Sequence, residues 1–203
     1  MQIRELDIPD AFEITPVQHE DDRGVFLEWY RFDDLEEAVG HPFTLRQANI
    51  SVSRKGVVRG IHFAEIPLGQ AKYVTVTSGA VLDFVIDIRV GSPTFGMWDS
   101  VLLDTRDRRA VYVAEGLGHL ALSLTDDATF TYLVSDIYQP QREHGINPLD
   151  PEVGLVFPND APELVLSSKD TDAPGLLEAQ ELGILPSWDQ AKAFYRSLSM
   201  KGS

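Results

Sequence analysis

The stretch from Lys72 to Ile88 reads KYVTVTSGAVLDFVIDI, and its alternation decides the fold class. From Lys72 to Thr77, successive side chains would point to opposite faces of a strand, with Val74 and Val76 on the same face as Lys72. Gly79 interrupts the pattern, and a second alternating run follows it. The apolar face of that run carries Phe84, Ile86 and Ile88. The opposite face, which would meet solvent or a lumen, carries Asp83, Val85, Asp87 and Arg89.

Short runs of the same kind continue along the chain. They lie at Ser100–Leu103, Arg109–Val113, His119–Leu122 and Thr129–Ser135. Turn-forming residues separate them, among them the sequence Gly91-Ser92-Pro93-Thr94. Several short strands at this spacing predict a mainly β protein, built as an antiparallel sandwich or barrel.

Helical patterns flank the predicted strands. A short helix is predicted from Asp33 to Gly40, capped by Asp33 or Asp34 and ended by Gly40. A second is predicted from Ala173 to Gly183, and Ser187 can cap a third that carries an apolar stripe. We therefore predict a single domain over residues 1–203, with a β core at about 20–165 and C-terminal helices at about 173–199.

The composition excludes several classes of function. The chain has 17 Lys and Arg against 32 Asp and Glu, a formal net charge of −15, which argues against a nucleic-acid binder. A small phosphorylated ligand stays open, because a few basic residues can be focused in one pocket. Cysteine is absent, which excludes disulfides and thiolate catalysis. No signal peptide or apolar stretch of membrane-spanning length is present, so we expect a cytoplasmic protein with no membrane partner.

The segment Val57-Val58-Arg59-Gly60-Ile61-His62-Phe63 places two polar side chains in an apolar strand. Strict alternation would put Arg59 and His62 on opposite faces, unless a bulge intervenes. Taken alone, such a His is more often structural than functional. A metal site is not expected, because His62 is followed by Phe63-Ala64 rather than by a second His, and the chain has only five His in all.

The motifs as an ordered set resemble the dTDP-4-dehydrorhamnose 3,5-epimerase family over roughly residues 1 to 175. The resemblance rests on Asp22-Arg23-Gly24-Val25-Phe26, Gln47-Ala48-Asn49-Ile50-Ser51-Val52-Ser53, Gly56-Val57-Val58-Arg59-Gly60-Ile61-His62, Gln70-Ala71-Lys72-Tyr73-Val74, Asp87-Ile88-Arg89-Val90-Gly91-Ser92-Pro93-Thr94-Phe95-Gly96 and Ser168-Lys169-Asp170. A single motif such as Asp-Arg-Gly is weak, but chance agreement of the whole set is implausible.

This resemblance implies a jelly-roll, cupin-like barrel, a homodimer, a nucleotide-linked 4-keto-6-deoxyhexose as substrate, and no cofactor. It implies that His62 is the base, Asp170 its carboxylate partner, Tyr132 the acid and Lys72 the residue facing the 4-keto oxygen. It places substrate contacts on Arg23, Glu28, Gln47, Asn49, Arg59, His119, Glu143 and Lys169.

The chemistry of epimerisation explains these residue types. The hydrogens on C3 and C5 of a 4-keto sugar are both α to the carbonyl, so their removal gives an enolate with charge on O4. Imidazole, with an ordinary pKa of ~6.5, can take such a proton near neutral pH. A phenol across the ring can return it to the other face, and an ammonium can meet the oxyanion.

Some positions depart from the family pattern. The chain has Ile61-His62-Phe63-Ala64 where Leu-His-Tyr-Gln is common, Ala114-Glu115 where a Pro is usual, and Leu120-Ala121 where Gly-Phe is common. These changes point to the branch that serves deoxysugar biosynthesis. Three functions stay open: epimerisation at C3, C5 or both, a 3,4-ketoisomerase of the same fold, and a non-catalytic barrel that binds a sugar nucleotide.

Overall fold

The computed structural model describes residues 1–200, so Lys201-Gly202-Ser203 lies outside the described part of the chain. Four helices are described: α1 (Phe32–Val39), α2 (Ser168–Thr171), α3 (Leu176–Glu181) and α4 (Trp188–Ser199). The strands are β1 (Gln2–Glu5), β2 (Ala11–Thr15), β3 (Gln18–Asp21), β4 (Gly24–Leu27), β5 (Gln47–Ser53), β6 (Val58–Ala64), β7 (Lys72–Ser78), β8 (Ala80–Ile86), β9 (Trp98–Asp104), β10 (Ala110–Val113), β11 (Gly118–Ser123), β12 (Ala128–Val134) and β13 (Glu143–Gly145).

The strands form two antiparallel sheets and a separate β3–β4 hairpin. The six-stranded sheet has the order β1-β2-β10-β7-β12-β5, and the five-stranded sheet has the order β13-β6-β11-β8-β9. The predicted mainly β, antiparallel fold is confirmed, with short helices towards the C-terminus. Strand pairing within residues 1–200 does not close the two sheets into one continuous barrel. Strands β1 and β2 belong to the six-stranded sheet, so the β structure begins before residue 20, where the predicted β core starts.

From β5 to β13, successive strands alternate between the two sheets except at β8 and β9, and this alternation builds the interior. Strands β5 and β7 belong to the six-stranded sheet, whereas β6 and β8 belong to the other. A single residue, Gly79, joins β7 to β8 and crosses between the sheets with φ of 73°. A Cβ there would collide with Thr125 Oγ1, so the crossing requires glycine. Residues far apart in sequence therefore face one another across the space between the sheets.

Apolar side chains from both sheets form the core between them. Val74 and Val76 of β7 belong to the same buried cluster as Val85, Val101 and Leu103 of the five-stranded sheet. A second cluster, on the outer side of the five-stranded sheet, is covered by the chain after β13 and by α3. The apolar face predicted at Phe84, Ile86 and Ile88 is part of this second cluster, and all three residues are fully buried.

The charged face predicted beside those residues is buried and does not meet solvent. Arg89 is fully buried, and its guanidinium donates two hydrogen bonds to Asp87 and one to Asp10. It also lies 4.5 Å from the ring centroid of Trp188 at the start of α4. The paired charges satisfy one another away from water, and the cluster attaches α4 to the sheets.

The helix boundaries test the cap predictions separately. Asp33 and Asp34 lie in the first turn of α1, whereas its N-cap is Arg31 without a side-chain hydrogen bond, so the predicted cap is wrong. Gly40 ends α1 in a left-handed conformation, as predicted. Ser187 caps α4 in a capping box with Gln190, as predicted. None of the helices described over residues 1–200 has the length and apolar character needed to span a membrane.

Candidate active site

A cavity of about 460 Å³ lies between the two sheets. Eight of the predicted site residues line it: Gln47, Asn49, Arg59, His62, Lys72, His119, Tyr132 and Glu143. Five further lining residues were not predicted: Ser51, Gln70, Ala121, Phe130 and Tyr138. The lining comes from both sheets, so a ligand in the cavity would contact polar groups on two opposite sides.

His62 on β6 is hydrogen-bonded to Asp170 on α2, as the resemblance implies. The distance between His62 Nε2 and Asp170 Oδ1 is 2.7 Å, and Ser167 Oγ donates to the other oxygen of Asp170 at 2.8 Å. Burial lowers the pKa of His62, although the hydrogen bond to Asp170 opposes this effect. The imidazole is therefore neutral at physiological pH. With Nε2 facing the carboxylate, Nδ1 is the nitrogen left with a lone pair to accept a proton.

A β-bulge places Arg59 and His62 on the same side of β6. His119 of β11 pairs with His62 and Ala121 pairs with Arg59, so two residues of β6 lie opposite the single residue Leu120. This extra residue reverses the alternation, and both polar side chains line the cavity. Strict alternation, which separates them, is wrong at this point.

Gly60 makes the bulge possible. Its φ is 132°, and a Cβ would lie 2.5 Å from the carbonyl oxygen of His119. We expect Gly60→Ala to lower turnover by at least about tenfold, because the backbone shift would separate Arg59 from His62. We also expect a stability loss of roughly 1–3 kcal/mol from the strained φ. Steady-state kinetics and denaturant unfolding would measure the two effects. Gly183→Ala, with a positive φ of 68° but open space around its Cβ, is the matched control for backbone strain alone.

Tyr132 on β12 reaches the cavity from the six-stranded sheet, opposite the sheet that carries His62. Burial raises the pKa of its phenol, while the charge of Arg59 lowers it in part. The phenol therefore stays protonated at neutral pH and can donate a proton or a hydrogen bond.

Lys72 at the start of β7 is almost fully buried at the cavity wall. Burial lowers the pKa of its ammonium, and the nearby carboxylates of Glu143 and Asp83 oppose that effect. Over residues 1–200, Lys72 forms neither a hydrogen bond nor an ion pair with another side chain. Its donors are thus available to an oxygen atom of a ligand in the cavity.

His119 forms a second histidine–carboxylate pair that sequence reasoning did not identify. Its Nε2 lies 2.7 Å from Asp83 Oδ2, and its ring stacks on Phe130. Asp83 was noted only as part of a polar strand face. The strand pairing sets Ala121 beside Asp83, and His119 beside Val85 two residues away, so only the sheet register brings the two side chains together.

Three predicted substrate-binding residues do not line this cavity. Arg23 lies on the β3–β4 hairpin, strongly exposed and paired with Asp21 at 2.5 Å. Glu28 follows the hairpin and contacts Arg31 at 3.4 Å. Lys169 is exposed on α2, but its charge acts on both His62 and Glu143, which places it near the cavity rim. Within the described residues, no group of three or more His, Asp or Glu is placed to hold a metal ion.

Comparison with known proteins gives a consistent result. The family model described as dTDP-4-dehydrorhamnose 3,5-epimerase matches residues 5–178. A dTDP-4-dehydrorhamnose 3,5-epimerase of Mycolicibacterium smegmatis is 55% identical over 198 residues, covering 98% of this chain and 97% of that protein.

Two of the solved structures that resemble this chain cover nearly all of it. The rmlC epimerase of Mycobacterium tuberculosis superposes with a TM-score of 0.95 at 50% identity, covering 98% of this chain and 100% of that one. ChmJ, a 3'-monoepimerase from Streptomyces bikiniensis solved with dTDP-quinovose, has a TM-score of 0.92 at 46% identity, covering 96% of this chain and 98% of that one.

The two-sheet fold and its cavity, together with these likenesses, define a cupin-like epimerase. The chain belongs to the dTDP-4-dehydrorhamnose 3,5-epimerase family. The predicted family membership is confirmed.

Proposed function

We propose that this protein epimerises a dTDP-linked 4-keto-6-deoxyhexose at C3, at C5 or at both, by proton transfer through an enolate. The observation that carries the proposal is the placement of the His62 imidazole and the Tyr132 phenol on opposite sheets around one cavity. Inversion of a carbon requires a base on one side of the sugar ring and an acid on the other. The dTDP moiety is taken from the related epimerases, one of which was solved with dTDP-quinovose.

Each proposed step uses a group already described. His62 Nδ1 removes the hydrogen α to the C4 ketone, and Asp170 stabilises the imidazolium that forms and holds the ring. The C–H bonding pair moves into the enolate, whose charge develops on O4 beside the Lys72 ammonium. Low local polarity makes that charge count for more than it would in water. Tyr132 then donates its phenolic proton to the opposite face of the carbon. Solvent afterwards takes the proton from His62 and returns one to the Tyr132 phenolate, which restores both groups.

The diphosphate of the substrate would contact the basic groups at the cavity. Arg59 lines the cavity, and Ser53 Oγ accepts a hydrogen bond from its Nε at 3.0 Å, which orients the guanidinium fork. Lys169 at the rim adds a second positive charge. Gln47 and Asn49, hydrogen-bonded to each other at 2.7 Å on β5, offer further polar contacts. The local concentration of positive charge at the cavity allows a strongly acidic chain to bind an anionic substrate.

Incubation with dTDP-4-keto-6-deoxyglucose in D2O, followed by NMR, tests the proposal. Deuterium should enter at C3, at C5 or at both, with inversion at each exchanged centre. Exchange at both positions would identify a 3,5-epimerase, and exchange at C3 alone a 3-epimerase. A 3-keto product would identify a ketoisomerase. Binding without exchange would identify a non-catalytic barrel. Either result would refute the proposal.

We further propose that the enzyme is a homodimer in which the β3–β4 hairpin of one protomer contributes Arg23 and Glu28 to the cavity of the other. Both residues lie away from the cavity of their own chain, and Phe26 on the same hairpin is 69% exposed. Edge strand β5, which lines the cavity, also exposes Ile50 and Val52 on its outer face. These apolar side chains are suited to a contact between copies.

Co-expression of Arg23→Ala and His62→Ala chains tests the shared site. A mixed dimer would contain one site with both wild-type residues, so the statistical mixture should recover about a quarter of wild-type activity. If Arg23 acts within its own chain, mixing would restore no activity, and the shared site would be excluded.

The cytoplasmic location stays a prediction, which cell fractionation would test.

A further inference from the structure

A second, smaller cavity of about 160 Å³ lies behind the six-stranded sheet, between β10, the loop 41–46 and α4. Three buried polar side chains line it: His41, Tyr112 and Glu115. Among the described residues, neither Tyr112 Oη nor Glu115 Oε2 has a hydrogen-bond partner. Glu115 forms no ion pair within residues 1–200, and burial raises the pKa of its carboxyl to about 7. Burial of a carboxyl group without a partner cation destabilises the fold, so a functional role would explain why Glu115 occupies this position.

The other oxygen of Glu115 connects to the backbone beside Lys72. Ser135 Oγ donates to Glu115 Oε1 at 3.0 Å, and the Ala71 N–H donates to the same Ser135 Oγ at 2.8 Å. The Ser135 N–H in turn donates to the Ala71 carbonyl at 3.0 Å. Because Ala71 directly precedes Lys72, this relay holds the strand end from which the Lys72 side chain enters the active-site cavity.

Glu115 also belongs to the turn that leads into β11 and His119. Its backbone carbonyl accepts a hydrogen bond from Tyr195 Oη of α4, which fixes the turn from the outside. One residue therefore connects the turn before His119 with the strand end before Lys72. A hydrophobic side chain could fill the same volume, but it could not accept the Ser135 hydrogen bond.

We propose that Glu115 is a positioning residue for the epimerase reaction: from behind the sheet, through Ser135 and Ala71, it sets the position of Lys72 relative to His119. The proposal rests on the proposed function, since it assigns to Lys72 the oxygen of the reacting carbonyl. Glu115 does not touch the substrate, so its effect is on turnover and not on the binding of the nucleotide.

Kinetics of four variants test this role. Glu115→Ala and Ser135→Ala should each lower kcat by about 10- to 100-fold with KM within about twofold, because a misplaced oxyanion partner weakens the transition state and not the nucleotide contacts. Glu115→Gln keeps an acceptor for Ser135 and should restore most of the loss. Tyr112→Phe removes the unpaired hydroxyl of the same cavity without touching the relay, and it should leave kcat and KM unchanged.

A readout that needs no substrate separates this proposal from the proposed function. The Lys72 ammonium can be titrated by NMR in protein labelled with ¹³C at the lysine ε-carbon, with its signal assigned by its loss in Lys72→Arg. Glu115→Ala should shift the Lys72 titration, whereas Tyr112→Phe should not. If the wild-type protein turns over no sugar nucleotide, the proposed function fails. The Lys72 titration then decides by itself whether Glu115 sets the position of Lys72. Unchanged kcat per folded molecule in Glu115→Ala, or an unchanged Lys72 titration, would overturn the positioning role.

Discussion

His62→Ala should lower the rate of epimerisation by about 10²–10⁴, the range over which a positioned general base contributes. The reason is that the proposed mechanism assigns removal of the α-hydrogen to His62 Nδ1 and to no other group. Affinity for dTDP, measured by calorimetry, should change little, because the nucleotide contacts lie on other residues. Both deuterium exchange and inversion should disappear together, since the proton must leave before it can return.

His144→Ala is the matched control for this variant. His144 lies on β13 beside β6, pairs with Glu65 at 2.8 Å and does not line the cavity, so turnover should stay within about twofold. Exchange that persists in His62→Ala at more than a tenth of the wild-type rate would contradict the assignment of the base.

The pH dependence of turnover follows from the direction of the His62 pKa shift. Because burial lowers that pKa, the base stays unprotonated through neutral pH, and the acid limb of the rate profile should lie below the ordinary imidazole pKa. Asp170→Asn removes the charge that raises the pKa. It should therefore move the acid limb to still lower pH while reducing the plateau, because the imidazolium loses its stabilising partner.

Tyr132→Phe should separate proton removal from inversion. The ring stays in place, but the phenolic proton is lost, so formation of the inverted product should fall by about 10²–10³. Wash-in of deuterium with retained configuration should decline less, because His62 and Lys72 can still form the enolate and His62 can return a deuteron to the face from which it took the proton. NMR of the sugar in D2O measures both processes in one sample.

Tyr30→Phe is the control for loss of a half-buried phenol. Tyr30 packs against Tyr73 and Phe43 away from the cavity, and removal of its hydroxyl should leave both rates unchanged. If Tyr132→Phe inverts the sugar at the wild-type rate, the acid is a different group and the proposed mechanism must be revised.

Local patterns were sufficient for much of the fold. Alternation identified β7 and the run that forms β8, and the turn residues separated the strands that followed. The Ser187 cap and the Gly40 stop marked helix ends correctly, because these depend on hydrogen bonds within a few residues. The failed cap at Asp33 or Asp34 shows the limit of this reasoning. Acidic residues suit both the cap and the first turn, and only the path of the chain decides between them.

The candidate site was less accessible to local reasoning. Arg59 and His62 share a face only because the chain bulges at Gly60 opposite Leu120, and alternation alone separates them. The contact between His119 and Asp83 arises from the β8–β11 register. Asp170 follows His62 by 108 residues, and the resemblance to the family, rather than any periodicity, paired them.

The amino-acid sequence by itself determined the antiparallel β class, the main helix ends and, through its ordered motifs, the family. Those properties depend on short-range periodicity, turn chemistry and residue identity, which are written along the chain. Only the tertiary structure decided which polar side chains meet across the cavity and that Arg23 and Glu28 stay outside it. It alone connected Glu115 to Lys72 from behind the sheet. The physical reason is that most successive strands after β5 alternate between two sheets, so the neighbours of a residue are set by register and bulges and not by distance along the chain.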